Sequence, residues 1–345
     1  MSIMRNMRTL IELARNVRNW KDVLRQHFRY GKLKNITIQS KKFPIIIEIH
    51  SSNTVIRLSH IYRILCDSRL NVSESVDIYV IDDKIEVEFG EHKVTLPNIE
   101  TFPAGSILSW ILLFQNGGSI LGYETNPMIE FFGYKFYLPN YLSGVYEVIE
   151  VFIDEIYGRF DFDGKTILDV GGFIGDSAIW FIHKGAKNVV VYEPNPILYT
   201  ILKKNIQINE LHGLIDPRNF GVSSTNKKER LIVPKSWFGL GSYCGTSNFS
   251  RNWDNIQEID ISVISIADIL SNDDIDIIKL DCEGCEYDLL KYFSENRYIV
   301  SDIEGIVLEA HYIDLNYNLK FAMKLLEKLG WRVYFDKNLI WAKNI

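Results

Sequence analysis

Nowhere does this chain string together the roughly 20 apolar residues that a bilayer-spanning helix requires. Its longest such run, Ile107–Phe114, is interrupted by Ser109. Cysteine is scarce: Cys66, Cys244, Cys282 and Cys285 are the four in 345 residues. That is too few for a disulfide scaffold and suits a reducing compartment. The amino terminus, MSIMRNMRTL, is basic but has no continuous apolar stretch and no small-residue cleavage site. No secretory signal is read, and a cytoplasmic location is expected. Without such a signal the Asn-x-Ser/Thr matches at Asn35, Asn71 and Asn248 carry little meaning. Internal repeats and low-complexity linkers are also missing. What remains is ordinary globular composition, 47% hydrophobic and 24% charged, long enough for one large domain and a smaller one.

Charge is unevenly spread. The net value is -6, yet residues 1–35 hold nine basic residues against Glu12 and Asp22, so this arm carries +7 and the rest -13. An acidic body argues against wrapping nucleic acid. Residues 3–30 contain neither Gly nor Pro, and Met4, Met7, Ile11, Ala14, Val17, Leu24 and Phe28 recur at helical spacing before Gly31. Residues 1–35 are therefore expected to be a basic amphipathic helix. Such a helix packs on its own protein, lies peripherally on a membrane surface, or binds a partner.

Residues 36–140 read as a mixed α+β domain or cap. Pro44–His50 suggests a strand, Val55–Cys66 a helix, and Val76–Ile81 with Lys84–Phe89 a hairpin about Asp82-Asp83. A second hairpin is expected in Ile129–Leu138 around Gly133. No catalytic motif stands out here. From 141 to 345 the pattern changes to strand-helix alternation: Thr166–Val170, helix 176–184, Asn188–Glu193, helix 196–209, then Ile275–Asp281, helix 286–295, Gly305–Ala310 and helix 318–329. A closing pair, Arg332–Phe335 and Leu339–Ala342, follows Gly330. Alternation implies a parallel sheet covered on both faces, and the closing pair implies one antiparallel insertion.

The decisive segment is ILDVGGFIGD, Ile167–Asp176, a buried strand running into a glycine turn and a helix. Open α/β sheets bind ligands at the carboxyl ends of their strands. A dinucleotide fingerprint would need glycine at position 170, where this chain has Val170. It offers Asp169-x-Gly171-x-x-x-Gly175 instead, with Gly172 between, a spacing that suits S-adenosylmethionine. Glycines let the backbone approach a ligand, and Asp169 suits a cofactor carrying an ammonium and a sulfonium. The alternative is a strand-turn-helix whose glycines only tighten packing. Glu193 ends the next strand, 18 residues beyond Gly175, where an acid can accept hydrogen bonds from ribose hydroxyls. Asn195 follows it in VYEPNP and is taken as a further cofactor contact. A surface carboxylate at a strand end is the plainer reading of Glu193.

A third constellation is IIKLDCEGCE, Ile277–Glu286. Alternation sends Lys279 and Asp281 to one face of the strand. Carboxylates gathered at a strand end are costly unless paired, hydrated, metal-bound or employed. Asp281 is a general-base candidate, with Lys279 and Glu283 as orienting partners. His311, after the strand Ile306–Ala310, is a second base or a substrate anchor. Both regions also have bland readings, acids at a helix N-terminus and an ordinary polar strand end. Cys282-x-x-Cys285 is read neither as a redox pair nor as half a zinc site, and no metal ligand is assigned.

Taken in order, DVGGFIGDSAIWF, VYEPNPILYTILKKNIQIN, IKLDCEGCEYDLL and VLEAH resemble the FkbM family of methyltransferases over about residues 160–312. Its K-x-D-x-E-G-x-E block falls on Lys279, Asp281, Glu283, Gly284 and Glu286. Gly172 and Phe173 stand where the family tends to have Ala and Asn, and Cys285 where Ala is usual. The resemblance implies a Rossmann-like class I methyltransferase fold, α/β with a mostly parallel seven-stranded sheet and a terminal antiparallel hairpin. It also implies S-adenosylmethionine as donor and O-methylation of a sugar, glycan, glycolipid or polyketide-like product. Other acceptors, or a binding module without turnover, stay open. A base-amine enzyme commonly shows Asn/Asp-Pro-Pro-aromatic where this chain has Asp-Cys-Glu-Gly.

Overall fold

The computed structural model describes residues 11–12, 14–30, 32–33, 35–50, 56, 58–81, 84–97, 103–122, 126–234 and 256–344. The chain divides into two compact units, one of residues 1–134 and 140–149, the other of residues 135–139 and 150–345.

In the first unit, helix α1 (Trp20–Tyr30) precedes strands β1 (Ile36–Gln39) and β2 (Ile45–Ile49), helix α2 (Leu58–Leu65), and strands β3 (Val76–Val80), β4 (Lys84–Phe89) and β5 (His92–Pro97). The five strands form one sheet in the order β1-β2-β3-β4-β5. Alternating burial along β2, β3 and β4 shows one face on the core and the other in water. The expected hairpin pairs β3 with β4, although its turn at Asp82-Asp83 lies outside the described residues. The apolar run Ile107–Phe114 belongs to helix α3 (Ala104–Gln115) and is buried throughout, a core helix. No helix among the described residues is long and apolar enough to cross a membrane. The expected amino-terminal helix is interrupted within its described residues. Residues 1–10 lie outside the described part, and Val17 leaves helical conformation to bridge Ser40. Arg18 N–H donates to Gln39 O and the Asn19 amide to Thr37 O, so sheet-edge hydrogen bonds outcompete the helix there. Strands β6 (Ser119–Gly122), β7 (Met128–Phe131) and β8 (Tyr134–Tyr137) and helix α4 (Val145–Phe152) complete the path to the second unit.

That unit is built on a seven-stranded sheet. Its elements are β9 (Thr166–Val170), α5 (Asp176–His183), β10 (Asn188–Tyr192), α6 (Pro196–Ile208), β11 (Ile215–Arg218), β12 (Gly221–Ser223), β13 (Lys227–Pro234), β14 (Ile256–Ser265) and α7 (Ile266–Asn272). They continue with β15 (Ile277–Leu280), α8 (Cys285–Glu295), β16 (Gly305–Glu309), α9 (Leu319–Lys328), β17 (Arg332–Asp336) and β18 (Leu339–Lys343). The order is β11-β10-β9-β15-β16-β18-β17, parallel except where β18 runs antiparallel between β16 and β17. This is the Rossmann-like class I methyltransferase arrangement expected above. Strands β9, β10 and β15 are buried on both faces, which explains their near-continuous apolar runs. The chain winds outward through β10 and β11, then returns to β15 on the other side of β9. The reversal point therefore sits at the carboxyl ends of β9 and β15.

A small side sheet, β12-β14-β13, was not anticipated. Ile256–Ser265 carries the period-two alternation that could have revealed it. Residues 235–255, which include Cys244 and Asn248, lie outside the described part.

Candidate active site

Asp169 ends up inside the protein rather than at a ligand surface. It is fully buried, its Oδ2 accepts from Ser177 Oγ at 2.6 Å, and Lys279 Nζ lies 2.9 Å from its Oδ1. The cause is register: Lys279 of β15 is the direct neighbour of Asp169 of β9. Lys279 Nζ also donates to Gly171 O at 2.6 Å. Burial opposes its charge, but Asp169 and Asp281 outweigh that and raise its pKa. Asp169, expected at the cofactor, and Lys279, expected to orient substrate, are thus brought together at the glycine turn. The two form a buried ion pair that fixes the glycine turn to the neighbouring strand.

The glycines have an equally local reason. A Cβ on Gly171, at φ +85°, would lie 1.8 Å from Asp281 O, and one on Gly172 would lie 2.0 Å from Val191 Cγ2. Backbone and side chains of this chain, before any ligand, exclude a larger residue. Gly175, at φ +88°, caps α5. Asp281 N–H donates to Val170 O, so the two loops are joined directly.

Glu193 is no surface acid. It is 6% exposed; its Oε1 accepts from Asn195 N–H at 2.7 Å and its Oε2 from Phe173 N–H at 2.9 Å. Burial pushes its carboxyl up to about 8 against the pull of those two donors. When ionised, each oxygen keeps a further lone pair for a hydroxyl donor. Asn195 caps α6 by accepting from Ile197 N–H at 3.0 Å, while its buried Nδ2 has no hydrogen-bond partner. A buried unpaired donor costs about 1–3 kcal/mol unless a ligand satisfies it. Buried acceptor capacity beside an orphaned donor therefore fits a polar cofactor with hydroxyls and ring acceptors.

The strands β15 and β16 deliver a different cluster. Asp281 follows β15, Glu309 ends β16, and His311 stands two residues on. His311 Nε2 lies 3.7 Å from Asp281 Oδ1, 3.7 Å from Glu283 Oε2 and 3.9 Å from Glu309 Oε1. Its Nδ1 is 3.1 Å from Glu286 Oε1. Burial works against the imidazolium, but the Glu286 contact, with Glu283 and Asp281, holds its pKa well above the usual value. Burial also pushes Glu283 and Glu309 up to about 7. Donor atoms of Asp281, Glu309 and His311 lie within 4.8 Å of one another, a set that could receive a cation.

Two residues of this site were given no role from sequence. Tyr157, buried in the turn after α4, donates its hydroxyl to Asp281 Oδ2 at 2.8 Å. It lies 124 positions from Asp281, and no local pattern announces it. Glu286, fully buried, accepts from Gly284 N–H at 2.8 Å and His311 N–H at 3.2 Å. It belongs to the quoted K-x-D-x-E-G-x-E block, and its place after a strand-end turn was the available signal. Cys282-x-x-Cys285, read from sequence neither as a redox pair nor as half a zinc site, is closed in the structure. The turn into α8 brings their Cα atoms to 5.5 Å, and the two are joined by a disulfide.

Residues 169–333 match the family described as methyltransferase FkbM domain, entirely within the second unit. "Methyltransferase 1" of Beauveria bassiana (strain ARSEF 2860) is 21% identical over 206 residues, covering 54% of this chain and 81% of that protein. "Methyltransferase sdnD" of Sordaria araneosa is 21% identical over 214 residues, covering 54% and 82%. Among solved structures, precorrin-6y C5,15-methyltransferase of Geobacter metallireducens GS-15 is similar at a TM-score of 0.32 and 13% identity, covering 57% of this chain and 85% of that one.

Proposed function

We propose, from the premise that residues 169–333 form a methyltransferase FkbM domain, that the chain is an S-adenosylmethionine-dependent O-methyltransferase. Its acceptor is a hydroxyl of a sugar, glycan or glycolipid. The observation that carries the cofactor reading is the pair Glu193 and Asn195: a buried acid with acceptor capacity beside an unpaired buried amide donor, at the strand end next to the glycine turn. Glu193 and Asn195 would hold the cofactor, and the Gly171–Gly175 turn would wall it. Asp169 and Lys279 act on that turn from inside. The cofactor, when bound, supplies an activated methyl group, which leaves the protein to align the acceptor and take its proton.

For that proton the cluster offers several carboxylates, and Asp281, at the end of β15, is the one assigned the role. Glu286, Glu283 and Asp281 favour the protonated form of His311, which would serve as a cationic anchor for the acceptor's oxygens. Asp281 is the base, held in place by the Tyr157 hydroxyl. Glu283 and Glu309 line the same space and orient hydroxyls. This polar, carboxylate-rich surface favours a polyhydroxylated acceptor over a planar apolar one.

The test is methyl transfer from S-adenosylmethionine to a panel of sugars, glycolipids and amine-bearing bases, read as S-adenosylhomocysteine release and as product mass. Methyl ethers on sugar hydroxyls are expected. Methylation confined to ring or amine nitrogens would overturn the acceptor class.

A further inference from the structure

The disulfide Cys282–Cys285 brackets the loop that carries the charged cluster. Cys282 follows Asp281 directly, Glu283 lies between the two sulfurs, and Glu286, the partner of His311, follows Cys285. The enclosed pair turns through left-handed backbone, Glu283 at φ 55° and Gly284 at φ 117°. For Glu283 that conformation is unfavourable and persists only where the surroundings impose it. The loop is also a wall of the glycine turn: a Cβ on Gly171 would meet Asp281 O and, at 3.3 Å, Cys282 Cα. One covalent link therefore braces both the carboxylates around His311 and the backbone against which the glycine turn rests.

Its two sulfurs differ in access. Cys285 is fully buried as the first residue of α8, whereas Cys282 is partly exposed. That is the asymmetry of a disulfide open to exchange: an incoming thiolate reaches the exposed sulfur, and the helix N-terminus stabilises the departing thiolate.

We propose that Cys282–Cys285 is a reversible thiol–disulfide site whose closed form rigidifies the Asp281–Glu286 loop and with it the cofactor turn. In the forward step a dithiol reductant's thiolate attacks Cys282 Sγ, the Cys282–Cys285 bond breaks, and Cys285 leaves as a thiolate that takes up a proton. The reagent's second thiol then displaces Cys282 from the mixed disulfide. The protein gains two electrons and two protons, and the reagent ends as its own cyclic disulfide. A disulfide such as oxidised glutathione reverses the change. The coupling to cofactor affinity rests on the proposed function; the coupling to loop rigidity does not.

The experiment uses the full chain with Cys66→Ser and Cys244→Ser, so that the pair alone reports. Thiol labelling without denaturant, amide hydrogen exchange on the ligand-free protein, and calorimetry with S-adenosylhomocysteine are run in oxidised glutathione and in dithiothreitol. The oxidised form is expected to label at neither cysteine and the reduced form at the partly exposed Cys282, with the buried Cys285 protected in both. Exchange over residues 171–173 and 282–286 should be about 10-fold faster in the reduced form, with affinity about 10-fold weaker, a usual strength for coupling between sites. Cys282→Ser should behave as the reduced form in both buffers. Full labelling of the folded protein in oxidised glutathione overturns the proposal, as does identical exchange in the two states. Failure of S-adenosylhomocysteine to bind either form would sink the cofactor reading, while the exchange rates would still decide the redox inference.

Discussion

The two pairs of strand ends at the sheet's reversal point are built on opposite plans. At β9 and β10 the acids are locked. Asp169 is paired with Lys279 and Ser177, and Glu193 accepts two backbone N–H groups. At β15 and β16 the charges converge without closing: three carboxylates stand 3.7–3.9 Å from one imidazole nitrogen. The first arrangement fixes a surface, because rigid backbone and buried pairs have one low-energy geometry. The second leaves groups that can exchange protons and accept new partners. A transfer enzyme needs both, a rigid seat for its donor and an adaptable set of charges at the acceptor.

The comparison breaks most visibly at Asp281. Asp281→Asn keeps shape but removes the base, so turnover should fall by about 100-fold or more while S-adenosylhomocysteine affinity shifts by less than about 1 kcal/mol. His311→Gln should cost much less, since the imidazolium anchors rather than accepts. A larger loss from His311→Gln than from Asp281→Asn would reverse the two roles. On the rigid side, Glu193→Ala should weaken cofactor binding by about 1–3 kcal/mol. It should also lower the melting temperature, because the Phe173 and Asn195 N–H groups lose their acceptor. Unchanged affinity in a folded variant would return Glu193 to a purely structural role.

How far these plans can be read from sequence differs between the two sides. Strand-helix alternation and the closing pair reveal the seven-stranded sheet of the second unit, and the adjacency of Asp281 and His311 follows once two consecutive strands are taken as neighbours. Burial of Glu193 is not legible, because a strand-end acid reads the same whether water or backbone N–H groups surround it. Nor is the Lys279–Asp169 pair, which depends on the register of strands separated by over 100 residues. The glycines are visible as a motif, but what they make room for, Asp281 O and Val191, appears only when the sheet is assembled. In the first unit the strands are legible from alternation, while the break at Val17 depends on a bridge to Ser40 that helical periodicity cannot foresee.

Tyr157→Phe sharpens the contrast with a smaller effect. Removing one hydroxyl donor from the Asp281 carboxylate should slow turnover by about 3- to 10-fold, the scale of one hydrogen bond to a charged group. A purely structural tyrosine would lower the melting temperature and leave turnover of the folded variant unchanged. The gentlest test is the pH dependence of stability. Glu193 titrates at about 8 when folded and near 4.3 when unfolded. The folded state therefore binds more protons across that window, and stability should fall as pH rises through it. Glu283 and Glu309, each raised to about 7, add the same sign. Thermal unfolding from pH 5 to 8.5 should show a declining melting temperature, with a shallower decline for Glu193→Gln.

Calorimetric titration of the full chain with S-adenosylhomocysteine and with NAD separates a methyl-donor site from a dinucleotide site. S-adenosylhomocysteine should bind one site in the micromolar range, roughly 7–9 kcal/mol, and NAD should bind at least 100-fold more weakly. Equal or tighter binding of NAD, or no heat from S-adenosylhomocysteine at millimolar concentration, would contradict the account.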